Sequence, residues 1–221
     1  MIAASTWGRM LEPAELERVI AESTERHVPE GGYAERMGER VQHWTGVIDG
    51  LLKMSVTSAD GKVSTLTGMH AGGWFGEGSL LKREPRRYDV VALRPSRLAV
   101  VPARTFEWLR ATSLPFNHYL QHLLNARLGL FIGLLEYGRL LGTDARVAGC
   151  IATLFNTDLY PAPRAFVDLR QQEIALLSGL SRQRVNVALR TLQTHGLIRI
   201  EPRGMTVLDL KGLRNFAGVP E

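Results

Sequence analysis

The 221-residue sequence predicts an α+β chain: an N-terminal antiparallel β-roll, then one long helix, then a C-terminal winged helix-turn-helix. Three observations carry this. Between His27 and Val101, short β-prone runs alternate with glycine turns such as Gly31-Gly32, Asp49-Gly50, Asp60-Gly61 and Gly72-Gly73, the pattern of a roll or barrel. From Pro115 to about Leu141, apolar residues recur at helical spacing. From Gln171 to Leu189, two helix-forming stretches flank Gly179, with Ser181 placed to cap the second.

Taken in order, Pro13 to Glu25 predicts a short helix with Leu16, Val19 and Ile20 on one side. Val47 to Val56 and Val63 to Thr67 flank Ser58-Ala59-Asp60-Gly61-Lys62, a hairpin signal, and Val90 to Leu93 and Arg97 to Val101 continue the strand pattern. Thr105 to Arg110 begins another helix. The long helix then offers more apolar surface than a small β domain covers. This points to a homodimer seam carrying Leu120, Leu124, Leu128, Phe131 and Leu135; a long core helix within one chain is the other reading. Gly142-Thr143-Asp144 breaks the run, with Asp144 able to cap a helix from Ala145, and marks a hinge. Tyr160-Pro161-Ala162-Pro163 is expected as a loop of the last domain. The implied boundaries are 1–113 for the roll with short flanking helices, 114–141 for the dimerisation helix and 142–221 for the last domain.

The segment Gln171–Leu189 has the layout of a DNA-binding helix-turn-helix. Ala175 is small where two helices cross, Gly179 tolerates positive φ in the turn, and Val185 fills the angle between the helices. At about 100° per residue, Val185, Ala188, Leu189 and Leu192 share one face of the second helix. Arg182, Gln183, Asn186 and Arg190 share another, and these side-chain types suit base edges in a major groove. An ordinary amphipathic hairpin would explain the polar face alone, but not the small residue, turn glycine, branched residue and cap together. Leu197–Ile200 and Met205–Leu208 around Glu201-Pro202-Arg203-Gly204 predict a wing, with Arg203 at its tip able to reach a phosphate.

Net charge is +5, and the stretch from Asp168 to Arg214 holds eight basic against four acidic residues, so the basic character belongs to this module. No apolar run is long enough to span a bilayer, and the first residues lack a signal-peptide pattern. Cys150 is the only cysteine, which excludes an internal disulfide and fits a reducing cytoplasm. His118 and His122 stand at the i, i+4 spacing of two metal ligands, but no third ligand is evident and no metal is expected. No nucleophile elbow, P-loop or zinc-protease motif is present, so no catalytic residue is assigned and an enzyme is not expected.

Roll, long helix, hinge, helix-turn-helix and wing, together with Phe75-Gly76-Glu77 and the stretch Gln172–Leu189, resemble the Crp/Fnr family of bacterial transcription regulators. The resemblance implies a cyclic-nucleotide-binding-like roll and a cytoplasmic, nucleoid-associated homodimer on a palindromic double-stranded DNA site. It further implies recruitment or blocking of RNA polymerase, with Gln172 and Ser181 on phosphates. In cyclic-AMP-binding members, a Gly-Glu pair and a downstream Arg followed by Ser or Thr form the phosphate and ribose pocket. Here Gly76, Glu77 and Arg87 match, but Tyr88 stands where the small hydroxyl belongs, and Phe131 and Ile132 stand where polar residues meet adenine. Cyclic AMP is therefore disfavoured and no cofactor is expected. The pocket residues are either remnants of the roll or a ligand site, and a cyclic-nucleotide- or other small-ligand-gated regulator whose roll binds an anionic effector is the alternative function. On the recognition helix, Gln183 and Val187 replace the family's Glu and later Arg, which implies a different operator.

Overall fold

The computed structural model describes residues 1–161 and 165–218. Contacts divide the chain into two compact units. The first gathers Met1–Val56, Leu66–Arg127 and a segment from Thr157; the second gathers Thr57–Thr65, Leu128–Asn156 and the chain from residue 163 onward.

The first unit opens with two 3-10 turns, Ile2–Ala4 and Gly8–Met10, and helix α1, Pro13–Glu22. Pro13 pre-sets φ at the first helical position, and Glu12 and Glu15 close a reciprocal capping box. The helix is shorter than expected because Thr24–Val28 leaves it as strand β1; Val19 is buried, whereas Ile20 faces solvent. Seven further strands follow: β2 (Tyr33–Glu35), β3 (His43–Asp49), β4 (Leu51–Thr57), β5 (Val63–His70), β6 (Trp74–Phe75), β7 (Asp89–Ala92) and β8 (Ser96–Pro102). A short helix α2, Glu77–Lys82, lies between β6 and β7. The stretch from Val47 to Val56 is split at Gly50, the turn glycine, between β3 and β4. The strands form two four-stranded sheets, ordered β1-β8-β3-β6 and β2-β7-β4-β5, with antiparallel ladders as the turn spacing predicts.

Helix α3, Ala103–Thr112, and the first half of α4, Leu114–Leu140, close one end of the roll. The core there is aromatic. Trp7, Trp44 and Trp74 meet with ring centroids 4.3–5.0 Å apart; Phe116 packs edge-on against Trp7 and Trp44, and Phe106 is tilted against Trp44. Offset and tilted pairs of this kind add stability beyond their buried area. On α4, Phe116, Tyr119, Leu120 and Leu123 face this core at helical spacing. Leu120 is therefore a correction to the expected seam: its side chain is already covered by the roll, at 3 % exposure. Tyr160 is a second correction. It belongs to the first unit, with its hydroxyl 3.2 Å from that of Thr67. Ala162 and Pro163 of that loop lie outside the described residues.

In the second unit, α4 continues to Leu140, and α5 runs Thr143–Thr153. Its N-cap position is Gly142, not Asp144 as expected; Asp144 lies in the first turn, where its charge favours the helix dipole. Tyr137 packs its ring where α5 passes at Gly149. Strand β9 (Phe166–Val167), α6 (Gln171–Ser178), α7 (Arg182–Thr194), β10 (Ile198–Glu201), β11 (Gly204–Val207) and α8 (Leu210–Phe216) complete it. The hairpin β10-β11 gains β9 as a third strand. Among the described residues, no helix is long and apolar enough to cross a membrane.

Candidate nucleic-acid interface and roll site

Gly179 ends α6 at φ +63°, a left-handed conformation that side chains other than glycine adopt at a cost. The Leu180 N–H donates back to the Ala175 carbonyl at 3.0 Å and closes the turn. Ser181 then caps α7, its hydroxyl oxygen accepting from the Arg184 N–H at 3.3 Å. Ala175 is buried at the crossing, and Val185, Ala188, Leu189 and Leu192 are all at most 1 % exposed. Burying that stripe turns the opposite face outward. Arg182, Gln183 and Arg190 are exposed and Asn186 is partly so, as their spacing predicts.

The wing is fastened to the recognition helix. The Gln193 side chain accepts from the Ile200 N–H at 2.8 Å, and the approach of β9 leaves no room for a Cβ at Gly204. Gln172, Arg182 and Arg203 come together along a groove of about 390 Å³ that Arg170 also lines. Arg203 is exposed and stands 3.7 Å from the Asp168 carboxylate. Arg170 escaped the sequence reading; its position just before α6 was the available signal. Val187 is 60 % exposed on the same side as the polar residues, an apolar contact surface among hydrogen-bonding groups.

The roll holds a second polar cluster. Gly76 takes φ +100°, and Glu77 begins α2 with its side chain 3 % exposed. Glu77 Oε1 lies 3.1 Å from Nε of Arg127, whose Nη2 donates to the Trp74 carbonyl at 2.7 Å. Glu77 Oε2 is buried with no hydrogen-bond partner among the described residues. The expected arginine is the wrong one. Arg87 points to solvent, 3.7 Å from Glu84, whereas Arg86 is buried and pairs with Glu35 at 3.2 Å. Both terminal nitrogens of Arg86 lie 3.4–3.5 Å from where a Cβ on Gly76 would stand. Packing against Gly76, Glu35 and Tyr88 gives the inward place to Arg86. Tyr88 flanks Arg86, its ring centroid 5.8 Å from the guanidinium carbon; burial, then the Glu77 carboxylate, pushes the phenol's pKa up and keeps it neutral. Arg127 was not foreseen, because nothing local marks one arginine on a long helix as inward.

His118 is exposed, and His122 stands 3.3 Å from Asp158. Among the described residues, no cluster of three His, Cys, Asp or Glu side chains is placed to hold a metal. Cys150 is buried, and burial pushes its thiol up to about 12, so it stays protonated and unreactive.

Residues 25–113 match the cyclic nucleotide-binding domain model, and residues 145–216 match the Crp-like helix-turn-helix domain model. The transcriptional regulator SdrP of Thermus thermophilus is 30% identical over 179 residues, covering 77% of this chain and 82% of that one. The cyclic AMP receptor protein of Thermus thermophilus is 27% identical over 210 residues, 94% of each chain. The solved structure of FixK2 from Bradyrhizobium japonicum, 18% identical, shares the fold with a TM-score of 0.75 over 90% of this chain and 99% of that one. The chain belongs to the Crp/Fnr family of transcription regulators. It is a DNA-binding regulator and not an enzyme.

Proposed function

We propose that this regulator acts as a homodimer that reads a palindromic double-stranded DNA site, without requiring cyclic AMP. The observation that carries the reading is the two-faced recognition helix: a buried stripe at Val185, Ala188, Leu189 and Leu192 presents Arg182, Gln183, Asn186 and Arg190 outward. In this reading Arg182, Gln183 and Asn186 contact base edges near the helix N-terminus, and Val187 lies against a thymine methyl. Gln172 and Ser181 hold phosphates at helix starts, and Arg190 and Arg203 add backbone contacts. The dimer sets two such helices about 34 Å apart, one turn of DNA. It works in the bacterial cytoplasm, associated with the nucleoid, and acts on RNA polymerase. The domain division at residues 113 and 141 belongs to the same proposal, with 114–141 as the dimerisation helix.

Selection from a random DNA pool tests this. A palindrome is expected, and Arg182→Ala should cost about 1–3 kcal/mol on the best site and flatten preference at one base pair per half-site. Gln172→Ala should weaken all sequences alike. The opposite pattern, with preference altered by Gln172→Ala and intact in Arg182→Ala, overturns the assignment.

Independence from cyclic AMP rests on Tyr88 in place of a small hydroxyl, on apolar Phe131 and Ile132, and on Glu77 already being paired with Arg127. A second reading, an anionic effector other than cyclic AMP, draws on the buried Arg86 guanidinium, and on Glu77 Oε2, which has no hydrogen-bond partner among the described residues and could accept from an effector hydroxyl. Calorimetry with cyclic AMP, and DNA affinity with and without it, separates these from a cyclic-AMP regulator. Saturable binding at micromolar nucleotide with tighter DNA binding overturns the proposal.

A further inference from the structure

A groove on the roll lies outside the cluster around Gly76. It encloses about 480 Å³ and is lined by Arg26 of β1, Tyr33 of β2, Arg36, Arg40 and Gln42 of the segment leading into β3, and His43 at the start of β3. Charge there is unbalanced. The Glu35 carboxylate, at its wall, is shared between two guanidiniums: Arg26 Nη2 at 3.1 Å and Arg86 Nη2 at 3.2 Å. Glu39 is the other acidic residue of the lining. Arg36 is held over the Tyr33 ring at 3.9 Å, and neither it nor Arg40 forms an ion pair among the described residues. Arg26 Nε is buried with no hydrogen-bond partner among the described residues. Four guanidiniums thus stand in and directly behind the groove against two carboxylates. Burial lowers the His43 pKa; Glu35 works against this, and Arg26 and Arg86 reinforce it.

Positive charge concentrated in a concavity focuses the field on an entering anion. A guanidinium fork matches the oxygens of a phosphate in pairs. The volume falls in the range of small-molecule sites. We propose that this groove binds a small phosphorylated metabolite, its phosphate gripped by Arg36 and Arg40 with Gln42 donating beside them.

Titration calorimetry of the full chain with inorganic pyrophosphate at constant ionic strength tests the proposal. One saturable site is expected, weakened roughly tenfold or more when both forks are lost in R36A/R40A and unchanged in R9A, an exposed arginine outside the groove. Circular dichroism verifies the fold, and R40Q alone replaces the double variant if that one loses its β signal. The His43 ring proton resonances should shift with the same saturation curve. No saturable heat, equal binding by wild type and R36A/R40A, or an equal loss in R9A overturns the proposal. So does weaker binding of every DNA sequence by R36A/R40A together with no pyrophosphate signal, which would make the groove a nucleic-acid contact. The titration contains no DNA, so its failure leaves the DNA-reading proposal standing.

Discussion

The dimer seam can be tested with Leu124→Glu/Leu128→Glu. These residues are 37 % and 57 % exposed, and with Ile132 at 56 % and Leu135 at 55 % they form a bare apolar stripe at helical spacing along α4. Full burial of a leucine is worth about 1.5–3 kcal/mol, so each half-covered side chain has roughly 1 kcal/mol still to gain. Two residues on each of two helices make about 4 kcal/mol, close to a thousandfold in the dimer Kd. Each glutamate also brings a charge whose desolvation costs several kcal/mol, and the four would repel one another. Sedimentation at micromolar protein should therefore show the wild type at twice the 24.6 kDa chain mass and the variant at the chain mass. Circular dichroism should be unchanged. Specific DNA affinity should fall steeply, because one recognition helix grips only one half-site. A variant that keeps its mass and binds DNA like the wild type refutes the seam.

Gly179→Ala should destabilise the chain by about 1–2 kcal/mol, the cost of a left-handed residue; the new methyl would stand 2.8 Å from an Arg146 terminal nitrogen, which can swing aside. A lowered thermal midpoint would bear this out, and an unchanged one would place the turn elsewhere. Burial lowers the His43 pKa below its unfolded value, so the folded state binds its proton less readily. The stabilisation is present above the ordinary histidine value of about 6.5 and is lost as pH falls below it through the folded value. Urea midpoints should drop more between neutral and mildly acid pH in wild type than in His43→Gln, and equal slopes would count against the assignment. Cys150 should resist thiol reagents in the native chain and react once unfolded, given its burial and raised pKa; rapid native labelling would contradict it.

Wherever a local pattern settles a residue's environment, the sequence sufficed. The cap at Ser181, the turn at Gly179 and the two faces of α7 follow from hydrogen bonding, φ and helical period within a few residues, and all appear in the structure. The choice between Arg86 and Arg87 was not local. Both follow Pro85, and only the packing of Gly76, Glu35 and Tyr88 decides which guanidinium is enclosed. Leu120 and Leu124 are likewise equivalent by period, one turn apart on the same apolar helix. The roll covers the first and leaves the second partly bare, because an amphipathic pattern marks an apolar side chain without naming what it packs against. Strand β9 is two residues long, too short for any alternation to show, and exists because the wing offers it an edge. Periodicity and capping are encoded between neighbours along the chain; the identity of each buried partner is a relation between distant segments, and only the folded molecule contains it.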